Sequence, residues 1–169
     1  FHLLNVALVF WIIYLMTKKP IIAITVSLFF AIHPMHVESV SWISERKDVI
    51  YSFFYIASLI SYIYYITKTE VSKKAVFYAI TLVMFLCSIL SKSAAITLPV
   101  ILILIDYIQS RKITLKTILE KIPLFALSIL FGIIAIFSQK AGGSLNSSHE
   151  IGLINKVALV SYNLLFFDN

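Results

Sequence analysis

The sequence predicts an all-α fold: a polytopic transmembrane helix bundle of about six to seven membrane helices. Hydrophobic residues make up 60% of the 169 residues and charged residues 13%, whereas soluble domains have roughly 45–50% and 25%. The mean hydropathy is +0.97, and apolar runs recur along the whole chain. These observations exclude an ordinary soluble domain and indicate a single membrane domain over residues 1–169.

The apolar runs are the predicted membrane helices, in order residues 3–16, 20–32, 49–66, 75–90, 94–108, 123–137 and 153–167. Most are shorter than the ~20 residues that a perpendicular membrane helix needs, so flanking Tyr, Trp and Thr residues are expected to extend them into the interface. The second run is the shortest, and it either crosses the membrane or forms a tight hairpin with the first. Because the chain starts inside an apolar run, we expect a fragment of a larger protein.

Basic residues orient the predicted array. One set of alternate loops holds nine: Lys18, Lys19, Lys68, Lys73, Lys74, Arg111, Lys112, Lys116 and Lys121. The opposite loops hold five: Arg46, Lys47, Lys92, Lys140 and Lys156. The positive-inside rule makes the first set cytoplasmic, and anionic headgroups, not nucleic acid, explain the net charge of +6. Abundant Ile, Lys and Tyr indicate an AT-rich bacterial genome, and hence an inner membrane.

Residues 33–48 are the most polar stretch, with two His, three acids and two bases within sixteen residues. Each charge at the centre of a membrane helix costs ~2.5–3.5 kcal/mol, so this stretch is expected to be an interfacial loop on the outer side. Pro34 disfavours helix at His33 and ends the second run. His33, His36 and Glu38 have ligand types that suit a divalent metal; the alternative is that they cap helix ends.

Two cations stand where the next helix is expected to begin, after Ser44 as a plausible cap. Glu45 is favourable at the positive end of a helix, whereas Arg46 and Lys47 are not. Cations in this position need an anion, and a bound phosphate or pyrophosphate would supply one. The alternative is internal pairing with Glu45 or Asp48.

Two further charges belong to the region of the fifth run: Lys92 just before it, and Asp106 within it. Lys92, in the short turn of residues 90–94, should lie at the depth of lipid phosphates, where it either binds a phosphate or snorkels to headgroups. Asp106 lies near the cytoplasmic end, so we expect it to pair with Arg111 or Lys112 and not to be catalytic. Residues 108–123 predict an amphipathic helix whose basic face lies along the cytoplasmic headgroups.

Two segments resemble the transmembrane, tetratricopeptide-repeat-containing O-mannosyltransferase family and its bacterial relatives. The string His33-Pro-Met-His-Val-Glu-Ser-Val-Ser-Trp-Ile-Ser-Glu-Arg-Lys-Asp48 resembles that family's second outward loop. Leu90-Ser-Lys-Ser-Ala-Ala-Ile-Thr-Leu-Pro-Val-Ile-Leu-Ile-Leu-Ile-Asp-Tyr107 has its Ser-Lys and Leu-Pro…Asp-Tyr pattern, and Phe-His-Leu-Leu-Asn-Val at residues 1–6 resembles the start of its second membrane helix. The resemblance covers most of residues 1–137.

The resemblance implies a C-type glycosyltransferase, which passes a sugar from a polyprenyl-phosphate donor to a protein or glycan acceptor outside the cytoplasm. The family's catalytic acid normally lies in the first outward loop, before the helix that opens this chain, so the fragment alone should be inactive. Ser93 departs from the pattern, since relatives often carry Pro there, and no tetratricopeptide repeat follows within the 169 residues.

Each predicted site residue then has a role in sugar transfer. Arg46, Lys47 and Lys92 would stabilise the departing phosphate, and Glu38 is the internal candidate for the catalytic base. The predicted substrate-binding set is completed by His33, His36, Glu45 and Asp48. The alternatives are a non-catalytic membrane scaffold and, less well supported, a transporter, which would show broken helices with polar residues near mid-membrane.

Overall fold

The computed structural model describes residues 1–34, 46–111 and 114–141, and this part of the chain is helical, without strands. The helices are α1 His2–Thr17, α2 Pro20–Ile32, α3 Arg46–Thr67, α4 Val71–Ser91, a 3-10 helix Ser93–Thr97, α5 Leu98–Ile108, α6 Leu115–Leu119 and α7 Ile122–Ala141. The all-α prediction is therefore confirmed for the described residues. Residues 1–132 form one compact unit; of a second unit, residues 133–169, the described part is the last segment of α7.

Three helical segments are long and apolar enough to cross a membrane: Arg46–Thr67, Val71–Ser91 and Thr117–Lys140. The predicted number of six to seven membrane helices is thus too high for the described residues. The other apolar helices, His2–Thr17, Pro20–Ile32 and Ser93–Ile108, fall below 18 residues. The run at residues 153–167 lies outside the described residues.

A tight turn separates the first two helices. Lys18 adopts a left-handed conformation, with φ 58° and ψ 15°, which ends α1 at Thr17. Pro20 then occupies the first turn of α2, where its missing N–H leaves no bond unmade. The helices pack as a hairpin, and the ring Nε2 of His2 lies 3.2 Å from the carbonyl oxygen of Ala31. At 1.5 Å per residue, 16 and 13 residues extend only about 24 and 20 Å.

The α3–α4 pair is the most extensively packed part of the unit. Ser58 Oγ donates to the carbonyl oxygen of Thr81 at 2.9 Å, and Ser61 Oγ donates to that of Phe77 at 2.9 Å. Small residues let helix backbones approach closely, and their hydroxyls bond across the interface. The apolar core beside this pair contains Tyr62, Phe85, Ile89, Leu98, Leu102 and Leu124.

Contacts between helix ends define two ends of the residue 1–132 unit. At the first, Asn5 Nδ2 donates to the carbonyl oxygen of Val49 at 2.9 Å, and Ser88 Oγ donates to that of Tyr51 at 3.0 Å. This end, which we call the Lys92 end, contains the starts of α1 and α3 and the ends of α2 and α4. The opposite one, with the end of α3 and the starts of α4 and α7, is the Lys121 end.

Candidate functional site

Lys92 directly follows the last residue of helix α4, Ser91. Its backbone is extended, with φ −155° and ψ 132°, and its N–H donates to the carbonyl oxygen of Ser88 at 3.0 Å. The side chain reaches the first turn of α3, where Nζ donates to Asp48 Oδ1 at 2.5 Å. The same Nζ stands 5.9 Å from the centre of the Tyr51 ring. Two predicted site residues, 44 positions apart, are thereby brought into contact.

The Lys92–Asp48 pair is half-buried, with side-chain exposures of 34% and 26%. Ion pairs that solvent still reaches contribute only about 0–1 kcal/mol to stability. Asp48 is also favoured where it stands, because an acid in the first turn of a helix interacts well with the helix dipole. The main consequence of the pair is therefore the position it gives the Lys92 ammonium.

Of the other predicted site residues, three belong to the part of the chain that the structure describes and three do not. Arg46 and Lys47 are the exposed first residues of α3, and two residues of helix separate Arg46 from Asp48 by a rise of about 3 Å. His33 follows α2 with an extended backbone, φ −63° and ψ 126°, as the Pro34 argument predicts. The remaining three, His36, Glu38 and Glu45, lie outside the described residues.

The predicted metal set cannot be compared with the geometry, since two of its three members belong to residues 35–45. Within residues 1–34, 46–111 and 114–141, no group of three His, Cys, Asp or Glu side chains is arranged to hold a metal ion. The convergence of Arg46, Lys47 and Lys92 on one phosphate likewise stays a prediction.

A second polar cluster lies at the Lys121 end, which the sequence argument treated as cytoplasmic. Lys121 Nζ donates to Asp106 Oδ2 at 2.5 Å, and Tyr62 OH donates to the same carboxylate at 2.8 and 2.9 Å. Lys121 Nζ also donates to the Tyr62 oxygen. Arg111 Nη1 lies 3.5 Å from Asp106 Oδ1, and Arg111 Nη2 donates to Glu120 Oε2 at 2.8 Å. We call these five residues the Asp106 cluster.

The Asp106 cluster corrects one prediction and confirms another. Pairing of Asp106 with Arg111 is as predicted. The sequence argument assigns Lys121 to a basic cytoplasmic loop whose polar face lies along the headgroups, but the residue is only 3% exposed. A buried acid such as Asp106 requires a cation, so the sequence already indicated that a basic partner was needed. Several basic residues follow Asp106 in the sequence, and only the fold shows that Lys121 is a partner.

The charged residues of the Asp106 cluster neutralise one another. Two carboxylates, Asp106 and Glu120, face two cations, Arg111 and Lys121, so the formal charges cancel. Burial lowers the pKa of the Arg111 guanidinium, but the hydrogen bond to Glu120 and the neighbouring Tyr62 and Asp106 raise it more, so the net shift is upward. Arg111 therefore stays charged, and the cluster ties α3 and α5 to the turn that precedes α7.

The segment around α6 also differs from its predicted orientation. Among the described residues between α5 and α7, the helical ones are Leu115–Leu119, and the large side chains of this helix face outward, with Leu115 75% exposed. Thr117 and Lys121 are buried instead. The prediction of a basic face turned to the headgroups is therefore wrong for Lys121, because its ammonium is neutralised inside by Asp106.

Comparisons of the chain with protein-family models, with curated proteins and with solved structures find no match. The chemistry of the Lys92 end is accordingly the basis on which a function is proposed.

Proposed function

We propose that this chain is part of the membrane domain of a C-type glycosyltransferase. It would take a sugar from a polyprenyl-phosphate donor and pass it to a protein or glycan acceptor on the non-cytoplasmic side of a bacterial inner membrane. The supporting observation is the Lys92–Asp48 ion pair of 2.5 Å. This contact places the Lys92 turn beside the start of α3, which also carries Arg46 and Lys47.

The reaction places a specific demand on such a cluster of cations. The bond between the sugar C1 and the phosphate oxygen breaks, and the bond from C1 to the acceptor oxygen forms. The electron pair and the growing negative charge go to the polyprenyl phosphate, and the acceptor proton goes to a carboxylate. Arg46, Lys47 and Lys92 would stabilise the departing phosphate electrostatically, and Arg46 can bind two of its oxygens at once.

Removal of the acceptor proton requires a base. Among the described residues of the Lys92 end, the acid Asp48 is already paired with Lys92. Glu38 is the proposed internal base, and the resemblance favours an acid in a loop before residue 1. His33 and His36 would hydrogen-bond the phosphate or hold a divalent metal beside it.

The test uses the full-length protein in membranes, with radiolabelled polyprenyl-phosphate mannose as donor and endogenous membrane proteins as acceptors. Arg46→Ala should lower the transfer rate about 10²–10³-fold, because one lost contact to a developing oxyanion costs this much. Arg46→Lys should recover only part, since an ammonium cannot reproduce bidentate geometry. Lys92→Ala should also lower transfer.

Lys68→Ala is the matched control, since Lys68 is an exposed lysine beyond the other end of α3. Its transfer rate should equal that of the unmodified protein. Unchanged transfer in both Arg46→Ala and Lys92→Ala would contradict the proposed role of the Lys92 end. A full-length protein that transfers neither mannose nor any other sugar offered on polyprenyl phosphate would favour the membrane scaffold.

A further inference from the structure

The proposed phosphate-binding lysine, Lys92, is paired with an acid, Asp48. A carboxylate beside a phosphate site repels the ligand, yet Asp48 stands directly against the ammonium that would bind it. Its role must therefore differ from direct contact with an anion, although the sequence placed Asp48 among the substrate-binding residues.

Hydrogen bonds through Ser88 hold the backbone at Lys92, whereas the Lys92 side chain is flexible. The Lys92 N–H is bonded to Ser88 at 3.0 Å, and Ser88 Oγ is bonded to the Tyr51 carbonyl at 3.0 Å. Beyond this anchor, a lysine side chain has four flexible methylenes and readily reaches toward headgroups. In the described residues, two groups of α3 lie near its ammonium: Asp48 Oδ1 accepts a hydrogen bond from it, and the centre of the Tyr51 ring is 5.9 Å away. Of these two contacts, the hydrogen bond to Asp48 is the close and directional one.

An ammonium held in this way can still bind an anion. It has three N–H donors; Asp48 Oδ1 accepts one of them, and the centre of the Tyr51 ring is 5.9 Å from Nζ. At 34% exposure the Lys92 side chain also remains accessible. A phosphate oxygen can therefore take a donor that neither Asp48 nor Tyr51 uses.

We infer that Asp48 is a positioning residue, which holds the Lys92 ammonium at the start of α3 so that it can donate to the phosphate of the carrier lipid. This inference rests on the proposed function, and it assigns Asp48 an action through Lys92. It also predicts the opposite sign from simple electrostatics. If Asp48 only competed with the phosphate, its neutralisation would tighten binding; if it positions Lys92, neutralisation weakens binding.

The experiment measures equilibrium binding of radiolabelled polyprenyl monophosphate to the full-length protein in nanodiscs of zwitterionic lipid. Asp48→Asn should raise Kd about tenfold, the order expected for a hydrogen bond to a charged group. Asp48→Glu keeps the carboxylate and should restore part of the affinity. Tm should change little in either variant, because the pair is accessible to solvent.

Glu70→Gln is the matched control. It removes the acid of another lysine pair, Lys73–Glu70 at 2.8 Å, at the opposite end of α4, and it should leave Kd unchanged.

A charge-swap variant distinguishes a positioning role of Asp48 from a role in stability alone. Combining Asp48→Lys with Lys92→Asp restores an ion pair but moves the ammonium onto α3. We expect the wild-type Tm without the wild-type affinity; recovery of both would overturn the inference. Tighter or unchanged binding in Asp48→Asn would overturn it as well, while leaving the proposed function intact. If the unmodified protein binds no polyprenyl monophosphate, the proposed function fails and this inference fails with it.

Discussion

Lys121 shows how this protein accommodates a charge away from solvent. Its ammonium is buried at 3% exposure, but it is within 2.5 Å of a carboxylate and also donates to the hydroxyl of Tyr62. Taking two ions out of water costs several kcal/mol each, and close pairing with further hydrogen bonds offsets that cost. Removal of one partner should consequently be far more harmful than removal of both.

The first stability prediction follows from this asymmetry. Asp106→Leu leaves Lys121 buried without its carboxylate and should destabilise the protein by ~3–5 kcal/mol. Asp106→Leu combined with Lys121→Met removes both charges and should recover most of the loss, because Arg111 keeps its partner Glu120. Thermal unfolding of the purified protein in detergent measures both effects as changes in Tm.

The double variant is also the internal control, since it contains the same Asp106→Leu change. A Tm for the double variant as low as that of Asp106→Leu alone would mean that loss of packing, not the uncompensated charge, is responsible.

The sequence identifies charged residues that merit attention more readily than it identifies the residues with which they pair. Asp106 and Arg111 are five positions apart, so one turn of chain beyond a helix can bring them together, and their pairing was predictable. Lys121 is 15 positions from Asp106, and Lys92 is 44 from Asp48. Pairings across such separations depend on how the helices are rotated and packed, which local spacing does not encode.

At the scale of elements, Ser58 and Ser61 of α3 lie in its interface with α4. Ser58 is fully buried, and its hydroxyl donates to the Thr81 carbonyl oxygen at 2.9 Å. Hydrocarbon provides no hydrophobic drive for helices to associate, so close backbone approach and bonds of this type are important in membrane bundles. A larger side chain at this position must push the two helices apart.

The prediction for this interface is that Ser58→Leu lowers stability by ~1–3 kcal/mol through overpacking. Ser58→Ala, which removes only the hydrogen bond, should cost about 0.6 kcal/mol. Ser72→Leu makes the same substitution at an exposed position of α4 and should be nearly neutral. Tm measured on the three purified variants gives the ranking, and equal values for Ser58→Leu and Ser72→Leu would contradict the packing argument.

Helix positions were predictable to within a few residues, and helix lengths less so. The runs 49–66 and 75–90 correspond to Arg46–Thr67 and Val71–Ser91, because backbone bonding continues beyond the apolar residues into charged flanks. The run 94–108 is divided into a 3-10 helix and α5. Leu98-Pro99 explains the division, since proline has no N–H to continue a helix and is tolerated in the first turn of α5.

At the scale of the whole molecule, the described residues combine an exposed apolar surface with several buried polar side chains. Large apolar side chains such as Leu3 and Ile21 are exposed, while Asn5, Asp106 and Lys121 are buried. This pattern suits a hydrocarbon surrounding, where exposed apolar surface costs nothing and buried charges such as Asp106 and Lys121 are paired inside. The two ends of the bundle should then lie at opposite membrane surfaces.

The last prediction tests which surface each end faces. Helix α4 has 21 residues, or about 31 Å, with exposed Ser72 and Ser93 at or just beyond its ends. In a background where Cys87 is changed to Ser, Ser93→Cys should react with an impermeant maleimide added to intact cells, and Ser72→Cys should not, because the basic loops favour the cytoplasm. Both should react after permeabilisation, which controls for accessibility. Labelling of Ser72→Cys alone would reverse the orientation and move the Lys92 end to the cytoplasm, whereas labelling of both in intact cells would mean that α4 does not cross the membrane.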